Sequence, residues 1–264
     1  MRAAITLESV QYAYAKNPVL NNISFSVDTG DFFIIIGPNG SGKTTLMKLL
    51  SGIEQADVGG LEILGRSIRS YSRKRLAREI ALVPQSVPLD FPFTVKDVVL
   101  MGRSPYQGVL GLERKEDIEK ARQAIAFTGL EHLADRQVDQ LSGGECQLAF
   151  IARAICQEPR VLLLDEPTAS LDLAHQVRIM DLMERLKTEK QVTIVMVSHD
   201  VNLAAMYGNK LLLLDKGQIA EIGPPEKVLT YQTLEKSYGC PLLVDKNPLG
   251  NVPRVSLVPG KFIY

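Results

Sequence analysis

One short stretch constrains this chain more than any other. Gly37-Pro38-Asn39-Gly40-Ser41-Gly42-Lys43-Thr44 fits the pattern G-x-x-x-x-G-K-[ST]. Before it stands a continuous β-rich run, Phe32-Phe33-Ile34-Ile35-Ile36, suited to a strand buried on both faces. After it, from Thr44, the sequence TTLMKLLSGI reads as a helix with Gly52 as a stop. Strand, glycine-rich turn and helix in that order is the context the pattern needs. The glycines let backbone N–H groups turn toward phosphate oxygens, and the helix points its positive end at the same anion. Lys43 is placed to reach the outer phosphates of a nucleoside triphosphate, and Thr44 to ligate Mg2+.

A second apolar strand, Val161-Leu162-Leu163-Leu164, ends in Asp165 and Glu166. Asp165 stands at the strand's carboxyl end, a position suited to a Mg2+ shell. Glu166 points to the other side, because strand side chains alternate, and is the candidate to polarise an attacking water. Many strands reach the surface through such a pair; the loop at Gly37–Thr44 is what gives this one weight. Leu141-Ser142-Gly143-Gly144-Glu145 precedes the helical run CQLAFIARAI and makes a second helix start able to take an anion. Standing alone, it would read as a plain N-cap with glycines.

The rest of the chain supplies an alternating frame. Ile23, Phe25 and Val27 alternate with polar neighbours in a strand-rich stretch over residues 5–36. Two strand-like pieces in residues 61–84 flank a basic segment, Arg66 to Arg78, which reads as a solvated helix face because Ile68, Tyr71 and Leu76 are interleaved. Residues 91–157 carry helical spacing and few strand signals. A helix from Leu173 to Lys187 and a strand from Val192 to Ser198 follow, which points to a layered α/β sheet. Pro241 to Tyr264, rich in Pro and Gly, is expected to be irregular.

Lys plus Arg equals Asp plus Glu at 30 each, which gives no support for a nucleic-acid partner. The three cysteines, Cys146, Cys156 and Cys240, form no disulfide framework and suit a reducing compartment. The N-terminus has no apolar signal core, and the apolar runs fall short of the roughly 20 residues a membrane helix needs. The chain is not expected to cross a membrane by itself; docking on one stays open.

GPNGSGKTT, Gln85, LSGGE, LLLDEPTASLD and the His199 of VSHD occur in the order found in ATP-binding cassette (ABC) proteins, and the chain resembles that family from Tyr14 to about Gly223. The resemblance implies an α/β P-loop NTPase fold: a RecA-like core, an N-terminal antiparallel β-subdomain and an inserted helical subdomain. The implied ATPase domain is 1–240, with core 1–88 and 158–240, a helical subdomain over about 89–157, and an appendage at 241–264. ATP would be held by Tyr14, Gly37, Pro38, Asn39, Gly40, Ser41, Gly42, Lys43, Thr44 and Thr45, and Mg2+ by Thr44, Gln85 and Asp165. Glu166 and His199 would be catalytic. Two copies would pack head to tail, each ATP lying between one copy's loop and Ser142, Gly143, Gly144 and Glu145 of the other. Ser170 and Asp172 would touch the opposite copy. Tyr14 matches the aromatic that stacks on adenine, with Tyr12 as a rival; stacking tolerates any base, so GTP is a candidate second substrate. His132 and His175 match no such position and are read as structural. Cys146 stands where the family usually has Arg or Lys, and a partly exposed thiol there would be open to oxidation.

Gly102-Arg103-Ser104-Pro105, the LADR tract and the PPEKVLT…YG pattern resemble the iron-siderophore, haem and cobalamin importer cassettes, with molybdate, zinc and manganese importers as close cousins. The likeness implies two copies beneath two membrane permease subunits, peripheral on the cytoplasmic face of the cell membrane, with a substrate-binding protein delivering cargo. A soluble ABC ATPase of DNA repair, chromosome upkeep or translation usually carries a long coiled coil, zinc-binding cysteines or two cassettes in one chain, and none is present. A regulatory module without hydrolysis would lack Glu166 or His199, and both are present.

Overall fold

The computed structural model describes residues 2–85, 92–108 and 112–262. The chain divides into two compact units, Met1–Ile68 with Thr193–Tyr264, and Arg69–Val192.

The first unit opens with β1 (Ala3–Tyr14) and β2 (Asn17–Asp28), paired antiparallel. In β2 the alternation expected from sequence is realised: Ile23, Phe25 and Val27 are buried while Asn22 and Ser24 are exposed. β3 (Phe32–Ile36) follows, and each of its five residues is 0% exposed. The Phe33 ring stacks on Phe25 at 5.4 Å between centroids. α1 (Lys43–Leu50) buries Leu46, Met47, Leu49 and Leu50. β4 (Val58–Ile63) pairs with β1, and the short β5 (Arg66–Ser67) extends that antiparallel sheet to the order β2-β1-β4-β5.

The second unit begins with α2 (Arg73–Glu79), capped by Ser72, in which no residue is buried. That is the solvated helix face expected of the basic segment from Arg73 on, whereas Arg66 and Ser67 at its start lie in β5. β6 (Ile80–Val83) pairs in parallel with the later β7 (Val161–Asp165), from Ile80 opposite Val161 to Val83 opposite Leu164. Between them lie α3 (Val95–Leu100), α4 (Lys115–Thr128) and α5 (Gly143–Cys156), packed on one another. α6 (Leu173–Lys190) closes the unit, longer at its end than the sequence pattern suggested.

Arg103 lies in the tract likened to chelate importers, and it is 3% exposed. Its Nε donates to Asp117 at 3.0 Å, and its Nη1 to Glu158 and to the Cys156 carbonyl at 2.9 Å each. Its guanidinium lies 3.9 Å from the Tyr106 ring centroid. A planar cation suits such a buried fork, where it ties α4 to the end of α5. This tract therefore has a packing role inside its unit.

Back in the first unit, β8 (Thr193–Val197) runs parallel to β3. α7 (Val201–Tyr207) leads to β9 (Lys210–Asp215), parallel to β3 on its other side, and β10 (Gln218–Gly223) returns antiparallel on β9. α8 (Pro225–Val228) and α9 (Tyr231–Tyr238) follow. The last stretch corrects an expectation. Residues 241–262 are not irregular: β11 (Leu242–Lys246) and β12 (Pro253–Leu257) form a hairpin. Leu242 and Val244 face Leu257 and Val255 across the register. Pro253 opens its strand, a position where proline is tolerated, and Gly250 lies in the turn. Asn202 of α7 clamps the hairpin, accepting from the Val255 N–H at 2.8 Å and donating to its carbonyl at 3.1 Å.

The boundary expected between core and helical subdomain at 88 and 89 lies outside the described residues.

Candidate functional site

In the first unit the candidate site is built where β3 hands over to α1. Gly42 precedes the helix at φ 104°, a conformation costly for any residue with a Cβ, and an added Cβ would lie 2.8 Å from Leu20. α1 therefore starts with no side-chain cap and no acidic residue in its first turn. Its N–H groups and positive end are left for an anion. Lys43 is 5% exposed, and its Nζ donates to the carbonyls of Gly37 and Pro38 at 2.9 Å each. The cation is held across the mouth of the loop. Ser41 Oγ is buried and has no hydrogen-bond partner among the described residues. Buried hydroxyls are normally paired, so a phosphate oxygen would satisfy it. The residues present fit a phosphate ligand.

Around that loop, Asn39, Gly40 and Thr44 are exposed, Pro38 is half-buried and Thr45 is buried. The Gly217 N–H donates to the Ser41 carbonyl at 3.0 Å, so the turn between β9 and β10 braces the loop. Tyr238, at the end of α9, is a contact the sequence reading missed: its hydroxyl oxygen accepts from the Gly37 backbone N–H. Burial pushes that hydroxyl up to about 12, with the Gly37 contact acting against it, and it is neutral at pH 7. The only sequence signal was the YG that ends the C-terminal pattern.

Tyr14 and Tyr12 meet edge-on at 5.0 Å. Tyr12 is 8% exposed and belongs to the core, whereas Tyr14 is 39% exposed and has ring surface left to cover. Lys48 of α1 sits 5.9 Å from the Tyr14 ring centroid, which sets that ring beside the helix that starts the site. His199 is exposed immediately after β8, next to Asp200, which caps α7 by accepting from the Asn202 and Leu203 N–H groups.

In the second unit β7 delivers Asp165, 5% exposed, and Glu166, 9% exposed. Glu166 adopts φ 53°, left-handed for a residue with a side chain, which costs on the order of 1 kcal/mol. Gln85 Nε2 donates to Glu166 Oε2 at 2.5 Å, joining two expected site residues that are 81 positions apart.

Ser142 caps α5 in a reciprocal box. Its N–H and hydroxyl both donate to Glu145 Oε2 at 2.8 Å, and the Glu145 N–H returns to Ser142 Oγ at 3.3 Å. The Ser142 N–H, and then its hydroxyl, hold the Glu145 carboxyl below the ordinary value. Ser142 and Gly143 are exposed and Gly144 is buried. Ser170 is exposed at φ 62°, and Asp172 caps α6. Cys146 corrects an expectation: it is 7% exposed and its thiol is raised by burial. It shares a helix face with the buried Ala149 and Phe150, so it is not a partly exposed target for oxidation.

A sequence model of the family described as ABC transporter matches residues 20–169. The ferric enterobactin transport ATP-binding protein FepC of Escherichia coli (strain K12) is 38% identical over 248 residues, 94% of this chain and 92% of that one. The manganese transport system ATP-binding protein MntB of Bacillus subtilis (strain 168) is 42% identical over 237 residues, 89% of this chain and 92% of that one. A solved structure reported as an inward-facing conformation of a metal-chelate type ABC transporter aligns over 99% of both chains, with a TM-score of 0.88 and 32% identity.

Proposed function

Because this chain belongs to the ABC transporter family and carries that family's ATPase cassette, we propose that it energises import of a metal chelate, an iron-siderophore before haem or cobalamin. The observation that carries the reading is the 38% identity to a ferric enterobactin transport ATP-binding protein across 94% of the chain. The loop with its open helix start supports the ATP-binding half.

In this reading the loop N–H groups and Lys43 bind the phosphates, and Tyr14 stacks on the base. The Glu166 carboxylate takes a proton from the attacking water. Gln85 acts on the same carboxylate through Oε2 and fixes its orientation. His199 meets the terminal phosphate. Mg2+, held by Thr44, Gln85 and Asp165 together with ATP, would neutralise phosphate charge. Among the described residues no cluster of three or more His, Cys, Asp and Glu is placed to hold a metal ion.

ABC cassettes form dimers and work with membrane permease subunits. Here we assign an ATP-closed homodimer, with Ser142, Gly143, Gly144 and Glu145 of one copy on the ATP of the other, and Ser170 and Asp172 at the same contact. Residues 1–88 and 158–240 form the core in this assignment, about 89–157 the helical subdomain, and 241–264 the appendage. Two permease subunits above the dimer place it on the cytoplasmic face of the membrane, with a substrate-binding protein acting indirectly. No described helix is long and apolar enough to cross a membrane.

The test is uptake into vesicles holding the chain with its permeases and binding protein. Ferric siderophore should enter only with ATP, and Lys43→Ala should stop it. The 42% identity to a manganese transport protein favours a second reading, Mn2+ import. ATP-driven entry of Mn2+ but not of ferric siderophore would overturn the first reading in favour of the second.

A further inference from the structure

Gly144 sits in the LSGGE stretch, hereafter the signature segment, and its backbone does not explain why it is glycine: its φ lies outside the left-handed region. The reason is a neighbour. An added Cβ would lie 2.2 Å from Cδ2 of His175, 2.7 Å from its Cγ and 2.8 Å from its Nε2. Heavy atoms do not approach that closely, so the imidazole occupies the room a side chain would take.

That imidazole is held from its other edge. His175 Nδ1 lies 2.9 Å from Asp172 Oδ1 and 3.0 Å from Oδ2, and the His175 N–H donates to Asp172 Oδ1 at 2.8 Å. Asp172 is the cap of α6, so cap and ring form one plug in the first turn of that helix. The neighbouring contacts agree. A Cβ on Gly143 would meet Leu171 at 3.9 Å, and Gln176 Nε2 donates to the Leu171 carbonyl at 3.0 Å. The start of α5 and the start of α6 thus meet through one side chain.

We propose that His175 is a positioning residue that locks the signature segment, 142–145, to the 170–172 segment, so that both reach the partner copy as one rigid surface. This rests on the ATP-closed homodimer assigned above. A loose joint would let either segment drift from the partner's nucleotide, and displacements of about 1 Å at such a site can cost on the order of a hundredfold. In the reading above the nucleotide of a lone chain is held by Tyr14 and residues 37–45, and His175 is not among them, so the lock has no part in that binding. That separation makes the role testable against a merely structural one.

The experiment uses the full chain with Glu166→Gln to stop turnover. Light scattering gives the MgATP concentration at half-dimerisation, and calorimetry gives the MgADP dissociation constant. His175→Ala should raise the half-dimerisation concentration about tenfold and leave MgADP binding within about twofold. Gly144→Ala, which drives a methyl group into the imidazole, should be more damaging, about fiftyfold. Adding His175→Ala to it should restore about fivefold, the sign of direct coupling. Unchanged dimerisation in His175→Ala, or a Gly144→Ala defect untouched by removing the ring, contradicts the lock. A fall in MgADP affinity equal to the fall in dimerisation means general damage and also contradicts it. A Glu166→Gln parent that stays monomeric overturns the homodimer reading itself and this proposal with it.

Discussion

The two helix starts built to take an anion are finished in opposite ways. α1 begins at Gly42 with no side-chain cap and no acidic residue in its first turn. α5 begins at Ser142 with a complete capping box, and the Glu145 carboxylate already lies on the Ser142 N–H and hydroxyl. The first start has its positive end unopposed and a buried lysine beside it; the second has satisfied part of its own need. Helix-end charges are worth roughly 0.3–1 kcal/mol each, so a start already holding a carboxylate is the weaker anion site by about that much. The difference teaches a division of labour. In the proposed homodimer the loop at α1 holds a nucleotide alone, and the start of α5 becomes effective only when the two copies meet.

Breaking the stronger site gives the largest effect. Lys43→Ala removes the cation and leaves the Gly37 and Pro38 carbonyls without their donor. MgADP affinity by calorimetry should fall by about a hundredfold or more, and phosphate release should vanish. Ser142→Ala should leave MgADP binding alone. It should raise the ATP needed for dimerisation about tenfold, and loss of the cap should lower chain stability by about 1 kcal/mol in denaturant titration.

Glu145→Gln is smaller and sharper, because glutamine keeps the box while removing the charge. With the carboxylate gone from the phosphate's approach, dimerisation should need about threefold less ATP. The same variant has a pH signature. The Glu145 carboxyl is held below its ordinary 4.5, so its contribution is complete above pH 4.5 and is lost as pH falls through the lowered value in the folded chain. An acid titration of stability should therefore lose one step below pH 4.5 in Glu145→Gln. The smallest effect concerns thiols. Burial raises Cys146 and pushes Cys156 up to about 12, so a disulfide reagent at pH 8 should label Cys240 first and leave the other two slow.

The stronger site was also the more legible. Its glycines, Lys43 and flanking apolar run are contiguous, and local spacing alone demands strand, turn and helix. Asp165 and Glu166 were readable for the same reason. What escaped needed partners distant in the chain. Gln85 meets Glu166 across 81 positions, and no periodicity announces that. The close approach of His175 to Gly144, thirty-one residues earlier, has no local signal either. Tyr238 closes on Gly37 from the far end of the sequence. Cys146 seemed half exposed because the face that α5 buries is set by the helices packed on it. The prolines and glycines of the C-terminal hairpin read as irregular chain, because only the fold puts Pro253 at a strand start and Gly250 in a turn. The same distinction separates the family, carried by contiguous motifs, from cargo, for which Arg103 offers only a packed ion pair.

In the proposed homodimer one chain's loop and another chain's signature share each ATP. Mixing two disabled chains tests it most directly. Lys43→Ala has a failed loop and a sound signature; Ser142→Arg has a sound loop and a blocked signature. Neither should release phosphate alone. Mixed in equal amounts, they should regain ATP-dependent dimerisation and measurable phosphate release, because the mixed pair holds one complete site. A mixture as inactive as its two components would contradict the account.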